Sequence, residues 1–186
     1  MADIKYLEPV QLTKLLETVK KMGTDRDYAL WVVAYWRGLR ASEVGMLQLA
    51  DWKPDAGRLF VRRLKGSLSG EYKVSPEEVK VLRSWTKHRG NKPGPLFPTN
   101  GWKPISRQHL HNTMLHYCEA AGLPKAVSHF HVLRHSIAVA LVDKGVDLLH
   151  IKDWLGHRSI ASTMVYAALR NPTRDKVADQ VYEGVR

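Results

Sequence analysis

Six residues of this 186-residue chain carry side chains that together could attack a phosphate ester without a metal. Arg40 lies in Gly38-Leu39-Arg40-Ala41-Ser42-Glu43, and Lys65 sits beside Gly66 in a turn-rich stretch. His131 and Arg134 belong to His131-Val132-Leu133-Arg134-His135, His157 ends Leu155-Gly156-His157, and Tyr166 follows nine residues later. Paired arginines suit a phosphate clamp, because each planar guanidinium donates two parallel hydrogen bonds to phosphate oxygens. Donors held this way stabilise the charge that builds up in a transition state. A lysine on a flexible turn can protonate a leaving oxygen, and a tyrosine hydroxyl can serve as the nucleophile of a covalent intermediate.

Taken singly, each residue has a plainer reading. An arginine at the end of a buried helix is usually half of a structural ion pair. A lysine on a polar hairpin is by default a solvated charge. Tyr166, within Met164-Val165-Tyr166-Ala167-Ala168-Leu169, would ordinarily be a core aromatic. His131 and His135 are four apart, the spacing of a zinc pair on a helix. Arg134 lies between them, however, and no acidic third ligand is near in the sequence, so no metal is expected. His135 reads instead as a packed, hydrogen-bonded histidine that positions its helix. These separate readings do not account for the order and spacing of the whole set. The other tyrosines lack the context: Tyr28 and Tyr35 lie in a buried stretch and Tyr72 on a hairpin, while Tyr6, Tyr117 and Tyr182 have no neighbouring phosphate-binding motif.

The elements that would hold these groups are mostly helical. Leu12, Leu15, Leu16, Val19 and Met22 recur at helical spacing over 8–22, with Gly23 ending that helix and Thr24 or Asp25 capping the next. Residues 26–37 are apolar nearly all round and mark a central buried helix closed by Gly38. A short turn of helix is expected over 41–47. Arg58 to Leu64 reads as a strand, and a second short strand runs through Tyr72 and Val74, making a hairpin with Lys65 at its tip. Ser75-Pro76-Glu77-Glu78 is a strong helix start, with a Ser cap and Pro at the first helical position, for a helix running to about His88. Residues 91–101, rich in proline and glycine, form a surface loop. Further helices follow over 106–121, 131–144, 147–155 and 159–169, separated by Gly122, Gly145 and Gly156, with a last segment from Pro172 to about Glu183. The fold class is therefore α+β, mainly helical with a small antiparallel sheet, in a single domain over 1–186.

Composition narrows the class. Twenty-nine basic residues against eighteen acidic ones give a formal charge of +11 and a pI near 9.8, an excess that favours a polyanionic partner such as nucleic acid. Cys118 is the only cysteine, which excludes an internal disulfide and suits a reducing cytoplasm. The longest apolar run, Tyr28 to Trp36, is too short for a membrane span, and Met1-Ala2-Asp3-Ile4-Lys5 has no hydrophobic signal region.

An arginine in Gly-Leu-Arg-x-Ser-Glu, a hairpin lysine, His-x-Leu-Arg-His, Leu-Gly-His and a tyrosine nine residues on resemble, in this order, the phage integrase or tyrosine recombinase family. The resemblance runs from about Glu8 to Tyr182. It implies the catalytic fold of that family and a site-specific recombinase of integrase or invertase type. Arg40 and Arg134 would clamp the scissile phosphate, while His131 and His157 hydrogen-bond to it and His131 assists proton transfer. Lys65 would be the general acid on the 5′-oxygen, Glu43 would brace Arg40, and Tyr166 would be the nucleophile that leaves a 3′-phosphotyrosine and a free 5′-hydroxyl. No metal, ATP or other cofactor is implied. The partner is double-stranded DNA with specific recombination sites, cut by a homotetramer assembled on DNA from chains that are monomeric when free. Each chain would pass residues 172–186 to a neighbour, with Val177, Val181 and Tyr182 as the apolar contacts.

Two departures stand out. Many members carry an N-terminal helical domain that closes around the DNA, and none is expected here; either this is an excised catalytic domain or a short member like the fimbrial-type invertases, as Met1 favours. Members also commonly have an arginine after the hairpin turn, where this chain has Glu71-Tyr72-Lys73, with Lys73 as a candidate substitute. The alternative is a DNA-binding protein that does not cut: a helix-turn-helix over 147–169, or a degenerate relative. The segment 159–165 has few long polar side chains to read base edges, and the set of catalytic groups is intact. A type IB topoisomerase would use similar chemistry, but Leu-Gly-His plus tyrosine and the small size favour a recombinase.

Overall fold

The computed structural model describes residues 4–169, Ala178 and residues 181–183. Its helices among those residues are α1 (Pro9–Met22), α2 (Asp25–Trp36), α3 (Ala41–Val44), α4 (Pro76–Arg89), α5 (Arg107–Ala120), α6 (Val132–Asp143), α7 (Leu148–Leu155) and α8 (Ala161–Leu169). One antiparallel sheet, in the order β1-β2-β3, is made of β1 (Trp52–Lys53), β2 (Arg58–Val61) and β3 (Gly70–Lys73). The mainly helical α+β class and the hairpin are as expected. Most of the expected segment 172–183 lies outside the described residues.

Helix α2 is the centre of the core. Every residue from Ala29 to Tyr35 is buried, which is why the segment is apolar on all sides. It packs against α1, α4 and α6, and α6 in turn packs against α7 and α8. Local signals set the ends: Thr24 accepts from the Asp27 N–H, and Ser75 accepts from Glu78 while Glu78 reaches back to the Ser75 N–H. Gly38 and Gly156, at φ +55° and +68°, end α2 and α7 in the left-handed region that glycine tolerates.

The sheet is less regular than its sequence suggests. The strand expected over 58–64 stops at Val61. Arg62 turns outward to Asp51 (2.7 Å), whereas Arg63 turns inward and is buried. The second strand spans 70–73, and the two-residue β1 was not expected. Lys73, the suggested substitute for the missing arginine, is exposed at the end of β3, and its carbonyl accepts from Arg37 Nη1 (3.1 Å).

The hairpin is fastened to the end of α7. The Leu68 N–H donates to the Gly156 carbonyl (3.0 Å), the Tyr72 hydroxyl to the Asp153 carbonyl (3.0 Å) and Arg63 Nη2 to the Trp154 carbonyl (3.0 Å). A β-carbon on Gly156 would lie 2.6 Å from the Leu68 carbonyl and 3.2 Å from the Arg63 side chain. The glycine of Leu-Gly-His is thus required by close packing as well as by backbone conformation.

Candidate active site

Four chain turns converge on one point: the end of α2, the hairpin, the start of α6 and the α7–α8 turn. Arg134, on the first turn of α6, is 1% exposed and donates Nη1 to the Gly38 carbonyl (2.6 Å) and Nη2 to the Leu155 carbonyl (2.9 Å). A guanidinium has five N–H donors, so these two bonds fix its plane and leave others for a ligand. Arg40, the residue before α3, is held by Glu43, which accepts from its backbone N–H (2.9 Å) and from Nη1 (2.7 Å). Arg40 Nη1 also donates to Ser67 Oγ on the hairpin (3.1 Å). A hydroxyl there occupies one of the donors that a phosphate oxygen could take.

The histidines are set by neighbours. His157 Nδ1 pairs with the fully buried Thr163 hydroxyl (2.9 Å), leaving Nε2 as the ring nitrogen available to a ligand. His131 and His135 stack edge to face with centroids 4.6 Å apart. Tyr166 is 3% exposed on α8, and its hydroxyl lies 2.9 Å from His135 Nδ1. Burial and cationic neighbours act together on all three imidazoles. Desolvation, then Arg134 and Arg40, lowers His131 to about 4 even though the residue is partly open to solvent. Desolvation, then His131, His129 and Arg134, lowers His135 to about 4. Desolvation, then Arg134, Arg40 and Arg63, lowers His157 to about 4. All three are therefore neutral at pH 7 and able to donate from one nitrogen and accept at the other. Arg134 is lowered to about 9 by burial and then by Arg40 and Arg63, and it keeps its charge at neutral pH. Burial raises the Tyr166 hydroxyl, while Arg134 and Arg40 pull it the other way. Glu43 is fully buried, and its carboxyl is nevertheless held below the usual range by Arg63 and Arg40, which outweigh desolvation.

Arg40, Glu43, Arg134, His131, His135, His157 and Tyr166 are thereby linked by contact or by electrostatic influence. Lys65 is exposed on the hairpin, two residues from the buried Arg63. Three participants were not singled out from sequence. Arg63 read as a strand residue, Ser67 as a turn residue and Thr163 as a small helix residue, and only the three-dimensional pairing reveals them. Beside the site, Arg40, Leu64, Arg107, Gln108, His111 and His131 line an open groove of about 650 Å³. Arg107, Gln108 and His111 come from the first turns of α5, and all three are exposed. Among the described residues no three His, Cys, Asp or Glu side chains converge as metal ligands, and no helix is long and apolar enough to cross a membrane.

Comparison with known proteins identifies the family and the fold. The family model described as "Phage integrase family" matches residues 5–172. Type 1 fimbriae regulatory protein FimB of Escherichia coli K12 is 33% identical over 147 residues, covering 77% of this chain and 73% of that protein. FimE of the same strain is 31% identical over 174 residues, covering 90% and 87%. The crystal structure of XerA recombinase superposes with a TM-score of 0.78 at 26% identity, over 98% of this chain and 64% of that one. The chain thus spans a little under two thirds of the length of XerA.

Proposed function

The chain belongs to the phage integrase family, which makes it a site-specific tyrosine recombinase, and from that premise we propose that Tyr166 cuts and rejoins duplex DNA through a 3′-phosphotyrosine. The Tyr166 oxygen attacks the scissile phosphorus, the bond to the 5′-oxygen breaks, and Lys65 supplies the proton that the departing oxygen takes up. The tyrosine proton has a neutral acceptor already within hydrogen-bond range, His135 Nδ1. Arg40 and Arg134 hold the non-bridging oxygens, His131 and the free Nε2 of His157 donate to them, and Glu43 braces Arg40. The phosphotyrosine bond retains the energy of the broken ester, so rejoining by the 5′-hydroxyl of another strand needs neither metal nor ATP.

The observation that carries this reading is the placement of the Tyr166 hydroxyl in one cluster with His135 and the two arginines whose charge it senses. The helix-turn-helix alternative is not favoured, because α8 turns Thr163 and Tyr166 inward onto the site. Arg107 extends the cationic surface, and with the polar Gln108 and His111 it would meet DNA beside the scissile phosphate. The enzyme acts in the cytoplasm and assembles as a homotetramer on two DNA sites.

A nicked suicide substrate bearing the recombination site tests the assignment. The wild-type chain should form a protein–DNA adduct that survives denaturation. Tyr166→Phe should form none while binding the same DNA; an adduct persisting in that variant would overturn the choice of nucleophile.

A further inference from the structure

Arg63 is the one buried arginine of the site with no free path to a ligand. Its side chain is fully buried. Nη1 donates to Glu43 Oε2 (2.9 Å) and the Gly38 carbonyl (3.2 Å), and Nη2 donates to the Arg37 carbonyl (2.8 Å) and the Trp154 carbonyl (3.0 Å). All four terminal N–H groups are therefore directed at protein atoms. The remaining nitrogen, Nε, is buried without a partner. Arg63 contributes charge to the site and cannot itself hold a phosphate.

The need for such a charge follows from Glu43. Its carboxylate binds Arg40 at 2.7 Å. If that were its only cation, the acid would cancel the Arg40 charge where an incoming phosphate requires it. The second cation at 2.9 Å changes the balance: Glu43 is matched by Arg63, and Arg40 and Arg134 are left uncompensated. The same guanidinium shares the Gly38 carbonyl with Arg134 and ties the end of α7 to the end of α2, so the charge is fixed in place. We infer that Arg63 is a positioning residue of the recombinase: the buried counter-ion of Glu43, which holds the acid as a brace for Arg40 while keeping the Arg40 charge free for the scissile phosphate. The inference rests on the reading of Arg40 as a phosphate clamp.

The test is adduct formation on the nicked substrate by Arg63→Met, Arg63→Met/Glu43→Gln and Arg63→Lys, with Arg40→Ala as control. Arg63→Met should bind the DNA within about threefold of wild type, since the side chain is buried, and form adduct roughly 100-fold more slowly. Adding Glu43→Gln removes the unbalanced carboxylate and should recover roughly tenfold of that loss. A residue needed only for packing predicts the opposite, because the second substitution removes another buried partner. A double variant no faster than Arg63→Met, or an Arg63→Met that cleaves at the wild-type rate, would overturn the inference. Should Arg63→Met not fold, Arg63→Lys decides: it keeps the charge and should stay within about tenfold of wild type. A natively folded Arg63→Lys as inactive as Arg40→Ala would refute a role through charge. If Arg40→Ala itself forms adduct at the normal rate, the clamp reading fails, independently of Arg63.

Discussion

Arg37 and Glu78 form a buried ion pair at 2.9 Å, and Arg63 and Glu43 form another at the same distance. The two arginines are joined, since Arg63 Nη2 donates to the Arg37 carbonyl. Yet their surroundings differ. Arg37 lies under the rings of Trp154 and Tyr72, 4.5 and 5.9 Å away, and faces one acid. There desolvation prevails: burial raises the Glu78 carboxyl and lowers Arg37, and each partner keeps one unpaired buried atom, Glu78 Oε1 and Arg37 Nε. Glu43 instead faces Arg63 and Arg40 together, and the two cations overcome the same kind of burial to hold its carboxyl low. A surplus of positive charge decides the difference. One pair is closed and holds α2 to α4; the other leaves net positive charge at the candidate site.

The sharpest way to break this contrast is to remove one member from each pair. Arg37→Met leaves Glu78 buried without a cation and should cost roughly 3–5 kcal/mol of stability. Cleavage measured well below the melting temperature should change little. Arg37→Met/Glu78→Leu should return part of the loss, short of the N-cap contact that Glu78 makes with Ser75. Chemical denaturation decides it, and a loss under about 1 kcal/mol for the single variant would mean that the pair is not structural. On the other side, Arg40→Ala leaves Glu43 paired with Arg63. It should shift stability by less than about 1 kcal/mol while slowing adduct formation roughly 10²–10³-fold. A large stability loss in Arg40→Ala would place it with Arg37 and erase the distinction.

The sequence made some of this legible and hid the rest for definable reasons. Ser75, Pro76 and Glu78 announce α4 because capping is local: the three residues act on one another within a single turn. Gly38, Arg40 and Glu43 could likewise be read as a unit, as could His131, Arg134 and His135. The pairing of Arg37 with Glu78 joins residues 41 apart, and that of Arg63 with Trp154 joins residues 91 apart, so no window along the chain contains them. Arg62 and Arg63 are adjacent and chemically identical, but one is paired at the surface and the other buried in the site. Nothing in their sequence context distinguishes them: successive residues of an extended chain point to opposite sides, and only the tertiary fold sets which side is the site. Strand β1 has only two residues and owes its existence to pairing with Leu59 and Arg58.

Acid sharpens the comparison with the smallest effect, because the two regions respond with opposite signs. His131, His135 and His157 titrate near 4 in the folded chain and near 6.5 unfolded. Between those values the unfolded chain binds more protons, so stability is fully present above about pH 6.5 and declines as the pH falls toward 4. Glu43, lowered in the folded state, adds to that decline at more acidic pH. Glu78, raised in the folded state, works the other way: the folded chain takes up its proton first, and acidification favours folding through that group. The melting temperature should therefore fall between pH 7 and 5, a range in which the three histidines dominate. His157→Asn should flatten this slope, whatever it does to the absolute melting temperature. Glu78→Gln removes the opposing group and should make the decline steeper near pH 5. A melting temperature that rises on acidification, or a slope that His157→Asn leaves unchanged, would show that burial and the neighbouring arginines do not hold these imidazoles neutral.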